Sequence, residues 1–144
     1  MTKSPRRLLV YVSGPYTAPT YAKLNENVRA AEAAMIMLMN AGASVICPHK
    51  NTYMIDGAVS TIDLLWSDFE QIRRCDAMYV LQGWQTSLGT RMEMEIARRS
   101  GVPIFHASED DDELLKIVKR ALPDPRDVDK HLPFPDDLPT RTER

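Results

Sequence analysis

The chain predicts an α/β fold: a three-layer sandwich on a flavodoxin- or Rossmann-like parallel sheet of four to five strands, with helices on both faces. Three observations carry this. Short apolar runs alternate with amphipathic stretches of helical length, as parallel βαβ units require. Glycine and proline fall where those stretches end. With 44% apolar residues in 144, the chain can bury one core of ordinary domain size.

Leu8 to Val12 is the first strand, and Ser13-Gly14-Pro15 stops it, because Gly-Pro continues neither strand nor helix. The first helix runs from about Leu24 to Asn40. Val28, Ala31, Met35 and Leu38 share one face, Asn25, Arg29 and Glu32 face outward, and Gly42 ends it. Ser44 to Cys47 is the second strand, closed by Pro48, and His49 to Ser60 reads as a loop. A helix from about Thr61 to Arg74 follows, with Ile62, Leu65, Trp66, Phe69 and Ile72 on one face and Ser60 or Thr61 as its N-cap. Ala77 to Leu81 is the third strand. It leads through Gly83-Trp84-Gln85-Thr86 into the small-residue turn Ser87-Leu88-Gly89-Thr90 and a helix from Met92 to Arg99. Val102 to Phe105 is the fourth strand, where Pro103 suits an edge or a strand start. The last helix, Asp111 to Leu122, begins among the acids Glu109 to Asp112, which suit its N-terminal dipole. Pro123, Pro125, Pro133, Pro135 and Pro139 with many charges read as an extended tail, so residues 1–122 form the domain and 123–144 the tail.

Bulk properties narrow the function. A net charge of -2 leaves no electrostatic footprint for nucleic acid. No apolar run approaches a membrane span, and Lys3, Arg6 and Arg7 precede only a short strand, which reads as no signal peptide. Cys47 and Cys75 lack metal-ligand spacing and read as reduced, buried thiols of a cytoplasmic protein. His49 and His106 follow strands without a ligand partner at metal spacing, so no metal is expected. There is no Gly-x-Ser-x-Gly elbow and no Walker or dinucleotide fingerprint. The expected partner is a small molecule.

Open α/β sheets bind ligands at the carboxyl ends of their strands, near the point where strand order reverses. A pocket there is ringed by Tyr16, His49, Asn51, Asp56, Trp84, Ser87 and Glu93. Glu93 lies in the first turns of its helix, where the dipole favours an ionised carboxylate that can act as a nucleophile. Glu95 points about 200° away and pairs with Arg98 or Arg99. From the pattern alone, Glu93 is either a pocket carboxylate or a surface acid complementing the dipole. Asp68, on the flank of its helix, is either a pocket-rim acid or half of a surface pair. Tyr16 either orients a carboxylate or covers the sheet end. Ser13-Gly14 and Ser87 with Gly89 resemble phosphate-cradling turns only weakly.

Together these residues resemble the nucleoside 2-deoxyribosyltransferase superfamily, which includes the deoxynucleoside 5′-monophosphate N-hydrolases and cytidylate hydrolases. The resemblance spans Leu8 to Phe105. It rests on Ser13-Gly14-Pro15-Tyr16, Cys47-Pro48-His49, Asp68 with Asp76 eight residues on, and Ser87-Leu88-Gly89 with Glu93 four residues after the glycine. It implies that Glu93 attacks C1′ of the sugar, that Tyr16 holds Glu93, and that Asp68 binds substrate and protonates the departing base. The sugar then passes to another base or to water, with no cofactor. Ser13, Gly14, His49, Asn51, Trp84, Ser87 and Gly89 would line the substrate site. Position 87 is an aspartate in transferases of free nucleosides, whereas a serine there contacts the 5′-phosphate in the hydrolases, which tilts the substrate toward a nucleotide. The loop Pro15 to Pro19 lacks the hydrolases' arginine and glycine-rich phosphate loop, so Lys23, Arg91 or a second subunit would supply positive charge. The tail lacks the transferases' aromatic C-terminus. The resemblance also implies a homodimer or larger assembly. A catalytically idle nucleotide-binding or sensing module on the same fold would need the pocket but not Glu93. A structural protein acting through its tail would need neither.

Overall fold

The computed structural model describes residues 6–53, 55 and 57–122; the expectations for Asp56 and for the tail lie outside them. The elements are β1 (Leu9–Ser13), α1 (Tyr21–Ala41), β2 (Ser44–Ile46), α2 (Pro48–Asn51), α3 (Thr61–Ile72), β3 (Ala77–Val80), α4 (Leu88–Arg99), β4 (Ile104–His106) and α5 (Asp111–Arg120). A single 3-10 turn, Trp84–Thr86, precedes α4. The four strands are all parallel in the order β2-β1-β3-β4. The chain leaves β1 toward β2 and then returns to β1's other side with β3. Strand order therefore reverses between β1 and β3, and their carboxyl ends open a crevice.

The pleat of β1 sorts its side chains between two layers. Val10 and Val12 join Ala31, Ala34 and Leu38 of α1 and Leu114 and Val118 of α5 on one face. Tyr11, with Met78 and Val80 of β3, packs toward Ile72 of α3 and Met94 and Ala97 of α4 on the other. Burial of both faces is what a central parallel strand needs. At the end of β1, a Cβ on Gly14 would stand 2.6 Å from Leu81 Cδ1 and 2.7 Å from Leu81 Cβ. Glycine thus lets the exit of β1 pass tightly against the end of β3.

Several boundaries differ from the expected ones. Helix α1 begins at Tyr21, because the Thr20 hydroxyl accepts from the Lys23 N–H at 3.2 Å and caps it. Pro48 was expected to close a strand and instead opens α2 as its first residue, a position that its fixed φ suits. Strand β4 starts at Ile104, and Pro103 stands just ahead of it, its carbonyl accepting from the Met78 N–H. The largest change is in α4, which starts at Leu88. Ser87 Oγ accepts from the Thr90 N–H at 3.3 Å, so Ser87 is the N-cap and Gly89 lies inside the first turn. Glu93 consequently sits in the second turn.

Candidate active site

The crevice is a cleft of about 420 Å³ between the exit of β1, the start of α2 and the facing sides of α3 and α4. Gly14, Tyr16, His49, Asp68, Ser87, Gly89 and Glu93 all line it. Trp84 and Asn51 are not brought there. Trp84 turns toward β4, where its ring meets His106 at 5.6 Å over a second, smaller depression. Asn51 is exposed at the end of α2. Ser13 is 1% exposed and lies behind the cleft wall, not on it.

Glu93 reaches inward from α4 toward β1. Its Oε2 is closed off from solvent and has no hydrogen-bond partner among the described residues. Burial pushes its carboxyl up to about 8, and the negative charge of Asp68 adds to the rise, while the Tyr11 and Ser13 hydroxyls pull against it. Burial likewise lifts Asp68 to about 6. Neither acid is therefore an ordinary surface carboxylate, and the surface-pair alternatives do not hold. Two acids whose environments separate their proton affinities can divide acid and base work between them. Glu95, by contrast, points outward and pairs with Arg98 and Arg99 at 3.4 and 2.9 Å.

The tyrosine against Glu93 is Tyr11. Its fully buried ring reaches the carboxyl from β1, and burial, then the charges of Glu93 and Asp68, raise its phenol well above the usual value. Tyr16 lines the same cleft as Glu93, edge-on to His49 with ring centroids 5.7 Å apart. In the sequence Tyr11 stands only as a member of the first strand. The signal for its role was the strand period, which places Tyr11 and Ser13 on the face that meets α4. His49 donates from Nε2 to the Pro15 carbonyl at 2.8 Å, and burial lowers its pKa, so the ring is a neutral wall that fixes the β1 exit loop.

The rest of the lining is rich in hydroxyls, including Thr17, Thr52, Thr61, Thr86 and Thr90, with Leu64 and Leu65 supplying apolar surface. No lysine or arginine appears among the described lining residues. Lys23 pairs with Glu26 on α1. Asp76 is structural: it takes both guanidinium nitrogens of Arg6 and the Leu9 N–H, stapling the starts of β1 and β3. Among the described residues no cluster of three or more His, Cys, Asp or Glu is placed to hold a metal ion.

A family described as a domain of unknown function, DUF4406, matches residues 8–106. The chain belongs to that family. No curated protein matches this DUF4406 chain in sequence. Among solved structures it is similar to a 2-deoxyribosyltransferase from Bacillus psychrosaccharolyticus, at 19% identity and a TM-score of 0.55, over 68% of this chain and 70% of that one. A conserved protein from Enterococcus faecalis V583 is similar at 18% identity and TM-score 0.54, over 81% and 80%. The Clostridium botulinum CMP N-glycosidase BcmB is similar at 19% identity and TM-score 0.49, over 76% and 82%. The DUF4406 chain thus shares the α/β fold of the deoxyribosyltransferase, and its own site must carry any statement of chemistry.

Proposed function

We propose that this DUF4406 chain cleaves the N-glycosidic bond of a nucleoside, with Glu93 as the nucleophile and Asp68 as the acid that protonates the departing base. The observation that carries this reading is the buried Glu93 carboxyl, set against Tyr11 and coupled to Asp68 inside one cleft. The fold shared with a 2-deoxyribosyltransferase supports it.

Ionised Glu93 attacks C1′ as the bond to the base nitrogen lengthens, and the nearby carboxylate stabilises the oxocarbenium-like transition state. The bonding pair leaves with the base, and protonated Asp68 supplies the proton that the base nitrogen gains. The sugar remains as an ester of Glu93, which splits one hard step in two. In the second half, a free base or a water loses its proton to Asp68, bonds to C1′ and releases Glu93. The catalytic residues of this reading are Glu93 and Asp68, with Tyr11 positioning the nucleophile.

The lining supports an uncharged nucleoside over its 5′-monophosphate. Threonine hydroxyls suit a sugar, whereas a phosphate dianion would face two acids with no cation among the described lining residues. Ser87, moreover, already serves α4, accepting from the Thr90 N–H and from Thr90 Oγ1 at 2.9 Å. The test is chromatography of deoxynucleosides, ribonucleosides and their monophosphates incubated with the chain, with and without an added free base. Base release in water marks a hydrolase, and a new nucleoside marks a transferase. Release of base from none of them would contradict the reading.

A further inference from the structure

Among the buried polar atoms without a hydrogen-bond partner in the described residues are Tyr11 Oη, Ser13 Oγ and Glu93 Oε2, and both hydroxyls stand close enough to Glu93 to act on its carboxyl. Unsatisfied buried polar groups are rare, and each calls for a physical explanation. Two of these atoms belong to hydroxyls that can donate, and the third to a carboxyl that can accept. We propose that Ser13 is a positioning residue: once Glu93 has lost its proton to solvent, the Ser13 and Tyr11 hydroxyls both donate to the carboxylate and fix the oxygen that attacks. The mechanistic part of this rests on the reading of Glu93 as nucleophile.

The backbone sets the geometry. Ser13 pairs with Val80 in the sheet, and its carbonyl accepts from the Leu81 N–H at 2.8 Å, so its place on β1 is pinned. Strand alternation puts its side chain on the same face as Tyr11, and that face meets α4. At 1% exposure Ser13 is shut away from a bound ligand, which removes the substrate-contact role that its Ser-Gly sequence suggests. A neutral carboxyl attracts two hydroxyl donors weakly. An ionised one forms charge-assisted bonds of roughly twice the strength. The pair of hydroxyls is therefore complete only in the charged state.

The other groups facing Glu93 do not offer the same service. From α3, Asp68 acts in the opposite sense by repulsion. From α2, His49 is held neutral by burial and engaged with Pro15. Strands β3 and β4 present Met78, Val80 and Ile104 on this side, His106 at the end of β4 sits against the Trp84 ring over the second depression, and the thiol of Cys75, whose charge would act on Tyr11, is pushed up to about 12 and stays neutral.

The experiment is an NMR titration of the Glu93 side-chain carboxyl, labelled with carbon-13, in the wild type, Ser13→Ala and Ser13→Cys, with kcat and KM measured at pH 7. Ser13→Ala is expected to raise the Glu93 midpoint by about one unit, the size of one hydrogen bond to a charged group. The ionised fraction at pH 7, and kcat with it, should then fall about tenfold while KM holds. Ser13→Cys, which restores a weak donor of similar size, should recover part of both. A midpoint that Ser13→Ala leaves in place would overturn the proposal, as would a change confined to KM, the mark of a substrate contact. The titration needs no turnover. A chain that releases no base would sink the proposed reaction, and the midpoint would still decide the place of Ser13.

Discussion

Glu93 carries an energetic conflict. Charging its buried carboxyl destabilises the folded chain, since burial strips the charge of water and the Tyr11 and Ser13 hydroxyls offset only part of that cost. Its folded value stands near 8 against an ordinary 4.5. Between those values the folded chain keeps a proton that the unfolded chain has lost. The stability that this proton confers is present below about 4.5 and is lost as pH rises toward 8. Glu93→Gln removes the titration. Its melting temperature should match the wild type near pH 5 and exceed it by about 3 °C or more near pH 9. A difference that stays constant with pH would mean that Glu93 is not buried in the manner described. Such a gain in stability at the expense of activity is usual for functional carboxylates. The sequence allowed Glu93 to be singled out by its place after a small-residue turn, but nothing local distinguished a buried acid from a surface one. Burial comes from β1 and α3, remote in sequence, and the same remoteness concealed Tyr11.

At the scale of elements, the alternation of apolar runs and amphipathic helices made β1, β3, α1, α3 and α5 legible, because each has a strong period and marked ends. Two features were not. Pro48 carries the same signal whether it stops a strand or opens a helix, and only the packed turn of α2 resolves it. Ser87 and Gly89 read as a loop because glycine is a poor helix former, whereas here the cap bond to Thr90 draws both into α4. This gives Gly89 a testable position. A Cβ added there meets nothing within 4 Å, yet the residue lines the cleft. Gly89→Ala should therefore keep or raise stability, by up to about 1 kcal/mol. It should also raise KM severalfold by narrowing the substrate's approach. Thermal melting and steady-state kinetics on one preparation check both halves, and an unchanged KM would remove Gly89 from the binding surface.

For the molecule as a whole, the strand order β2-β1-β3-β4 is the feature that places chemistry. It sets β1 in the middle, opens the crevice at its exit, and brings two acids from neighbouring helices into one cleft. The order itself was not written in any segment of the chain; only the rule about strand ends pointed to the right edge. The two acids titrate as a coupled pair with steps near 6 and 8, and between those steps they hold one proton. The proposed reaction uses the one-proton form with Glu93 ionised and the proton on Asp68, the minor of its two arrangements because Glu93 holds a proton more tightly, so kcat/KM should still be bell-shaped with limbs near those values. Below the lower limb both acids are protonated, and above the upper one no acid remains for the base. Asp68→Asn should cost at least about 100-fold in rate and erase the alkaline limb. A wild-type profile that keeps rising beyond pH 9 would break the assignment of the pair.

In the proposed reaction the sugar is held covalently on Glu93. An electronegative fluorine at C2′ of a nucleoside opposes positive charge at C1′ and slows breakdown of a glycosyl ester. Mass spectrometry of the chain after incubation with a 2′-fluoro-arabino nucleoside, followed by peptide mapping, tests this directly. A fluoro-sugar adduct is expected on the peptide that contains Glu93, appearing with release of base and missing in Glu93→Ala. Base release that continues in Glu93→Ala, or an adduct on any other residue, would contradict it.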